Sequence, residues 1–399
     1  MDLFDKCKHT ENVDEAVAAG LYPYFHALET MQDSEVVIEG RRTIMLGSNN
    51  YMGLTSDRRV IEAAKDALDK FGSGCSGSRF LNGTLTLHLE LEKQLAEFVH
   101  KEAAMSFSTG FQTNLGIISA ITAKGDYIIS DRENHASIVD GQRLSFAKTV
   151  KFRHADMDDL KRVLENVPEE APKLIVTDGV FSMGGDIAKL PDIVELAKKY
   201  GARVMVDDAH GFGMIGDCGR GTASYYGLEK EVDIIMSTFS KSLASLGGFV
   251  AADARVLKYV KHVSRPFIFS ASVTPASCAS ALKALEIIRT EPERNKRLLE
   301  NGDYMRAGLR KLGIPIGNSE TPIIPVMTYN NLRTLTVCRK LLNEGVYVNP
   351  VVAPAVQEGQ CLLRTSYTAT HTKEQLDFAL DKFAKVFAEV GPYTPSTEE

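Results

Sequence analysis

Four short segments of the chain hold residue types that could share one reaction. Residues 207–211 (DDAHG) follow an apolar run, so Asp207 would stand at the end of a strand with His210 close by. A carboxylate there needs a cationic or hydrogen-bonding partner, because burying an unpaired charge is costly. Residues 237–248 (STFSKSLASLGG) surround Lys241 with hydroxyls and small side chains. Such a pocket depresses an amine's pKa and suits it to Schiff-base formation, while Thr238 and Ser240 could hydrogen-bond a phosphate. Residues 106–114 (SFSTGFQTN) open a helix whose free N–H groups and positive dipole end suit an anion. His135, just after a short apolar strand, offers a planar ring for stacking.

Each segment taken alone has a plainer reading. Asp207 could cap a helix, Lys241 could be solvated, the Thr-Gly start could be an ordinary N-cap, and His135 could be a hydrogen-bonded loop residue. Together they describe a single ligand: an aldehyde for the lysine, a phosphate for the helix start, a ring nitrogen for the acid and a flat face for the histidine. That ligand is pyridoxal phosphate, whose pyridine stays protonated beside an aspartate and draws electrons from a substrate's α-carbon.

These residues need a scaffold that gathers strand ends. Apolar runs at 127–129, 174–176, 203–206 and 233–236 alternate with helical stretches. One such stripe, Ile193, Leu196, Ala197 and Tyr200, follows Pro191. Strands buried on both faces and separated by helices predict a mostly parallel sheet in an α/β layer architecture, which takes ligands at its carboxyl edge. Upstream, Ile61, Ala64, Leu68 and Phe71 fall at helical spacing, as do Leu91, Leu95, Phe98 and Val99. After about Glu291 the rhythm changes: strands are expected at 323–328, 346–349 and 361–367, with a helix near 332–342. A last helix follows a capping box at Thr372 and Gln375 and carries Leu376, Leu380, Phe383 and Phe387 on one stripe. This predicts an arm over residues 1–50, a large cofactor-binding domain over 51–290 and a smaller α+β domain over 291–399, whose polar tail from Pro392 frays.

Composition narrows the field. The 399 residues are 44% hydrophobic and 25% charged, which is globular usage. With 46 Lys+Arg against 52 Asp+Glu, the net charge of -6 offers no broad cationic surface for nucleic acid. Six dispersed cysteines predict free thiols and a cytoplasmic setting. No stretch approaches the roughly 20 apolar residues of a membrane span, and the start lacks a leader pattern. Gly72, Gly74 and Gly77 spell GxGxxG, but after a helix, where a turn-rich loop is expected instead of a dinucleotide site. No HExxH, Walker loop or GxSxG is present, so no metal centre or serine-hydrolase chemistry is expected.

The segments 20–25 (GLYPYF), 48–54 (SNNYMGL), 72–84 (GSGCSGSRFLNGT), 207–211 and 238–241 occur in the order seen in α-oxoamine synthases, which the chain resembles over nearly its whole length. These are fold-type-I pyridoxal phosphate enzymes that join an amino acid to an acyl thioester with loss of carbon dioxide. Segments 241–249, 265–272 and 363–372 lean towards the bacterial serine palmitoyltransferase branch. The resemblance implies an aspartate-aminotransferase-like fold and a condensation of L-serine with palmitoyl-CoA to 3-ketosphinganine, the first step of sphingolipid synthesis. The alternatives within the family are 2-amino-3-ketobutyrate CoA ligase, 8-amino-7-oxononanoate synthase and 5-aminolevulinate synthase.

The resemblance also implies roles. Lys241 would carry the cofactor, Asp207 would partner the pyridine nitrogen, His210 would donate to the phenolic oxygen, and His135 would stack on the ring and take part in catalysis. Gly110, Phe111, Thr238 and Ser240 would hold the phosphate. Ser270 and Ala271 would reach the phosphate of a neighbouring subunit in a homodimer. Arg364 would grip the amino-acid carboxylate, with Asn50 near the substrate and Ser182 near the ring. A peripheral membrane contact would serve release of the lipid product.

Overall fold

The structure, a computed structural model, describes residues 2–393. Thirteen strands follow one another among the described residues. The first nine are β1 (Glu35–Ile38), β2 (Arg41–Met45), β3 (Ala103–Phe107), β4 (Tyr127–Asp131), β5 (Lys148–Phe152), β6 (Lys173–Asp178), β7 (Ala202–Asp207), β8 (Ile234–Thr238) and β9 (Gly248–Ala252). Then come β10 (Ile323–Tyr329), β11 (Val346–Tyr347), β12 (Asn349–Val351) and β13 (Cys361–Ser366).

Seven of them form the central sheet in the order β3-β9-β8-β7-β6-β4-β5, parallel except for β9, which runs against both neighbours. Its strands alternate between two cores. Val204, Val206, Ile235 and Phe249 face one side, whereas Met205, Ile234, Met236 and Val250 face the other. Helices cover both faces, as near-continuous apolar strands require. Because β4, β6, β7 and β8 are parallel, Asp131, Asp178, Asp207 and Thr238 all end on one edge. Phe107 and Thr238 both pair with Gly248, which brings the helix following β3 to the same edge.

A second core is built from β10, β13 and helices Asn331–Asn343 and Lys373–Val390. Ile44 and Leu46 belong to it, and β2 pairs in parallel with β11, so this part of the N-terminal segment is tied to the C-terminal unit. Helix Pro292–Lys311 bridges the two cores, with Leu298 in the first and Met305 and Leu309 in the second. The Thr372 and Gln375 capping box is formed at the last helix.

Several details depart from the sequence reading. Helix Arg58–Phe71 buries Val60 and Ala67, while Leu68 is exposed, because the helix turns a neighbouring stripe towards helix Pro275–Thr290. The strand expected over 346–349 divides into β11 and β12, which join different sheets on either side of Val348. Tyr393 in the polar tail stacks on Tyr329 at a centroid distance of 4.5 Å, and residues 394–399 lie outside the described residues. β3, β5 and β9 were not marked by the apolar runs. The six cysteines are free, and among the described residues no helix is long and apolar enough to cross a membrane.

Candidate active site

Helix Gly110–Ile121 starts at the carboxyl edge of the sheet. Thr109 caps it by accepting from the Gln112 N–H, and the N–H groups of Gly110 and Phe111 find no partner among the described residues. Gly110 packs so closely that a β-carbon there would stand 2.7 Å from the Thr238 side chain. Thr238 Oγ1 lies 2.9 Å from Ser240 Oγ. Two free backbone donors and two hydroxyls thus line one cradle, the donor set that a phosphate monoester takes. Ser270 Oγ accepts from Gln112 Nε2 at 2.9 Å, and Ser108 donates to the Ala271 carbonyl, so both residues border this helix start within their own chain.

Asp207 closes β7 and is buried. Its carboxylate accepts from Asn114 Nδ2 at 2.6 Å and from the Ala209 N–H at 3.0 Å. Asn114 gives its second hydrogen to Ser137 Oγ at 2.8 Å, and Ser137 Oγ is 2.7 Å from His135 Nδ1. Nδ1 also accepts the Ser137 N–H at 3.2 Å, so it carries no proton and His135 is the Nε2–H tautomer. Partial desolvation lowers the pKa of His135, against the pull of Asp207. His135 caps helix Ala136–Leu144, and its exposed ring meets Phe111 edge-on at 6.4 Å, leaving a face free for a planar ligand.

Lys241 Nζ lies 2.8 Å from His210 Nε2. Burial lowers the amine to about 8, with Asp207 opposing the shift and the Arg364 charge adding to it. Burial and the charges of Lys241 and Arg364 hold His210 well below its ordinary pKa, so the ring is neutral. His210 Nδ1 is 2.7 Å from the Tyr51 hydroxyl, which lies 3.1 Å from both Asn49 Oδ1 and Arg364 Nη2. With Lys241 charged, Nε2 accepts, Nδ1–H donates to Tyr51, and Tyr51 donates to Asn49. A neutral amine keeps both donors and an acceptor, so Lys241 and Nε2 stay hydrogen-bonded with either His210 tautomer.

Arg364, on β13, is 5% exposed yet forms no ion pair among the described residues. Its Nε donates to the Ser182 carbonyl at 2.5 Å and its Nη2 to Asn49 Oδ1 at 2.9 Å. A buried guanidinium held only by neutral groups is prepared for an anion from outside the chain. The Ser182 hydroxyl makes no hydrogen bond among the described residues; the residue acts here through its carbonyl. Asn50 Oδ1 accepts from the Leu54 and Thr55 N–H groups, while its buried Nδ2 has no partner among the described residues.

The sequence reading placed Lys241, Asp207, His210 and His135 at strand ends, and the fold brings them to one edge. It missed Asn114 as a bridge, Tyr51 and Asn49 as the link from His210 to Arg364, and Asp178. The segment 48–54 contained Asn49 and Tyr51, yet nothing local reveals a contact to a residue 159 positions away. Gly72, Gly74 and Gly77 lie in a loop after a helix, as expected.

A phosphate cradle, a buried carboxylate, a lysine of depressed pKa and an open imidazole face fit pyridoxal phosphate, and on this sheet they define a fold-type-I enzyme of that cofactor. The chain belongs to the aminotransferase class I and II family, whose profile matches residues 41–383. It is 54% identical to the serine palmitoyltransferase of Sphingobacterium spiritivorum over 96% of both chains. The 8-amino-7-oxononanoate synthase of Thermosipho melanesiensis is 44% identical, covering 98% of this chain and all of that one. The structure of a serine palmitoyltransferase from S. paucimobilis, solved with a bound PLP–myriocin aldimine, superposes with a TM-score of 0.95 at 40% identity, over 98% of this chain and 99% of that one.

Proposed function

We propose that this chain condenses L-serine with a long-chain acyl-CoA, palmitoyl-CoA by preference, releasing carbon dioxide and CoA and forming 3-ketosphinganine. The observation that carries the reading is the Lys241–His210 pair and Asp207 on one sheet edge with a buried Arg364 that forms no ion pair among the described residues. The serine palmitoyltransferases of Sphingobacterium spiritivorum and Bacteroides thetaiotaomicron are 54% and 52% identical, against 44–46% for 8-amino-7-oxononanoate synthases.

Pyridoxal phosphate, when bound, supplies an aldehyde for amines and a protonated ring that stabilises negative charge at the amino acid's α-carbon. Gly110, Phe111, Thr238 and Ser240 would hold its phosphate, Asp207 its ring nitrogen and His135 its exposed face. Arg364 binds the serine carboxylate through its fork and fixes which bond of the α-carbon faces Lys241. Lys241 Nζ takes the α-proton as a neutral amine, a form available near neutral pH because burial has lowered its pKa. His210 Nε2 keeps a hydrogen bond beside Lys241 in either protonation state. Asn50, whose buried Nδ2 is unpartnered, lies ready for a polar group of the substrate.

The active unit in this reading is a homodimer. Phe269 is 79% exposed beside Ser270, which already touches the phosphate helix, so a second copy covering Phe269 would border the cradle. Free thiols agree with a cytoplasmic location, and the long-chain product would leave at a membrane surface. Incubation with serine, glycine or alanine and acyl-CoAs of several lengths, following CoA release, tests the reading. Serine with a long chain should be turned over fastest; preference for alanine with pimeloyl-CoA would replace it with the oxononanoate reaction.

A further inference from the structure

His154 lies just beyond β5, outside the groups that would face cofactor or serine. Its Nδ1 is 3.0 Å from Asp131 Oδ1 and its Nε2 is 3.0 Å from Asp186 Oδ2. With a carboxylate at each nitrogen, both must donate, so the ring is an imidazolium. Burial alone would lower its pKa, but the bonds to Asp131 and Asp186 and the nearby Glu133 charge raise it to about 10. The ring stands edge-on against Phe181 at a centroid distance of 4.4 Å.

The two acids belong to different site-bearing segments. Asp131 ends β4, where the chain turns towards His135, and also accepts from the N–H groups of Glu133 and Ala155. Asp186 belongs to the loop 181–186, closed by hydrogen bonds from Gly185 N to Phe181 O at 2.9 Å and from Phe181 N to Asp186 O at 3.0 Å. This loop supplies the Ser182 carbonyl that orients Arg364. Its far side meets the C-terminal unit, where Thr321 Oγ1 donates to the Gly185 carbonyl at 2.8 Å. Beside it opens a cleft of about 1560 Å³ lined by His154, Phe181, Ser182 and Asp186 among others. Without the imidazolium, Asp131, Asp186 and Glu133 would repel one another across that gap.

We infer that His154 is a positioning residue for amino-acid recognition: its two-sided hold on Asp131 and Asp186 fixes the loop 181–186, and through the Ser182 carbonyl it aims Arg364 at the substrate carboxylate. The inference rests on the proposed role of Arg364 and goes beyond it by naming what sets its direction.

The test compares wild-type holoenzyme with His154→Gln and Asp186→Asn, measuring kcat, the KM for serine, the KM for acyl-CoA, bound cofactor and melting temperature. Both variants should raise the serine KM by roughly tenfold, the scale of one charged hydrogen bond. The acyl-CoA KM and cofactor content should stay within about twofold. The double variant should do no more damage than the worse single one, since both remove the same ion pair. An unchanged serine KM overturns the inference, as does a uniform loss of every parameter in step with melting temperature. If wild type does not turn over serine, the functional reading fails separately. The inference is then read from spectral titration of the three holoenzymes with serine, glycine and alanine, where equal affinities across them would overturn it.

Discussion

Replacing Asn114 with leucine would show how far the site depends on a residue that touches no substrate. The change keeps the approximate volume but removes both donors of one amide, the 2.6 Å bond to Asp207 and the 2.8 Å bond to Ser137. The unpartnered Oδ1 leaves with it, and a flipped amide could not replace the wild-type arrangement, since it would aim that oxygen at the Asp207 carboxylate. A hydrogen bond to a charged group contributes about 1.5–3 kcal/mol and a neutral one about 1 kcal/mol. The sum, about 2.5–4 kcal/mol, corresponds to roughly two to three orders of magnitude at about 1.4 kcal/mol per tenfold, shared between cofactor affinity and kcat. The assay is titration of apoenzyme with pyridoxal phosphate, followed by steady-state kinetics at saturating cofactor. His135 should also lose its single tautomer, which nitrogen-15 NMR of labelled histidine reads directly. Wild-type cofactor affinity together with wild-type kcat would refute the reasoning, because Asp207 and His135 would then need no bridge.

Lys241→Ala should abolish turnover and leave cofactor that washes out on gel filtration; substantial activity would remove the lysine from its role. Gly110→Ala brings a β-carbon to 2.7 Å from Thr238 and should weaken cofactor binding about tenfold or more, seen in the same apoenzyme titration. Arg364→Lys keeps a charge but loses the fork, so the serine KM should rise by one to two orders of magnitude, roughly, with the acyl-CoA KM unchanged. For pH, the folded pKa of His154 lies above its ordinary 6.5, so its stabilisation is complete below about 6.5 and is lost as pH rises through about 10. The melting-temperature gap between wild type and His154→Gln should therefore be widest near pH 6 and shrink towards pH 10, and a constant gap would contradict the ion triad.

The central strands were legible where both faces are buried, as in β6, all of whose residues are buried. β5 escaped because it is an edge strand with charged residues on its open positions and only Phe152 fully buried. β9 escaped because it begins at the glycine needed for close approach, where a β-carbon would stand 2.7 Å from Gly110 Cα. In the site, chemistry-bearing residues at strand ends could be found from one strand at a time. Asn114 could not, since its two partners lie 93 and 23 positions away and only the sheet order brings them together. Arg364 illustrates the same limit: family resemblance suggested its task, but that no acid among the described residues pairs with it became visible only in three dimensions.

The sheet edge also decides which of two acids serves the ring. Asp178 and Asp207 end adjacent parallel strands in direct register, and both are buried. Two carboxylates so placed cannot both stay charged at low cost, and the proton goes to the one with fewer donors. Asp178 accepts from the His135 N–H at 3.1 Å, whereas Asp207 accepts from Asn114 and from Ala209. Burial and the Asp207 charge accordingly push Asp178 well above the ordinary carboxylate range. Asp178 becomes a neutral neighbour that braces the His135 backbone, and the negative charge rests on Asp207, facing Lys241 and the open imidazole. Asparagine at position 178 should therefore be tolerated with little loss of cofactor affinity, while asparagine at 207 should not; equal losses at the two positions, measured by apoenzyme titration, would show that the charge is shared.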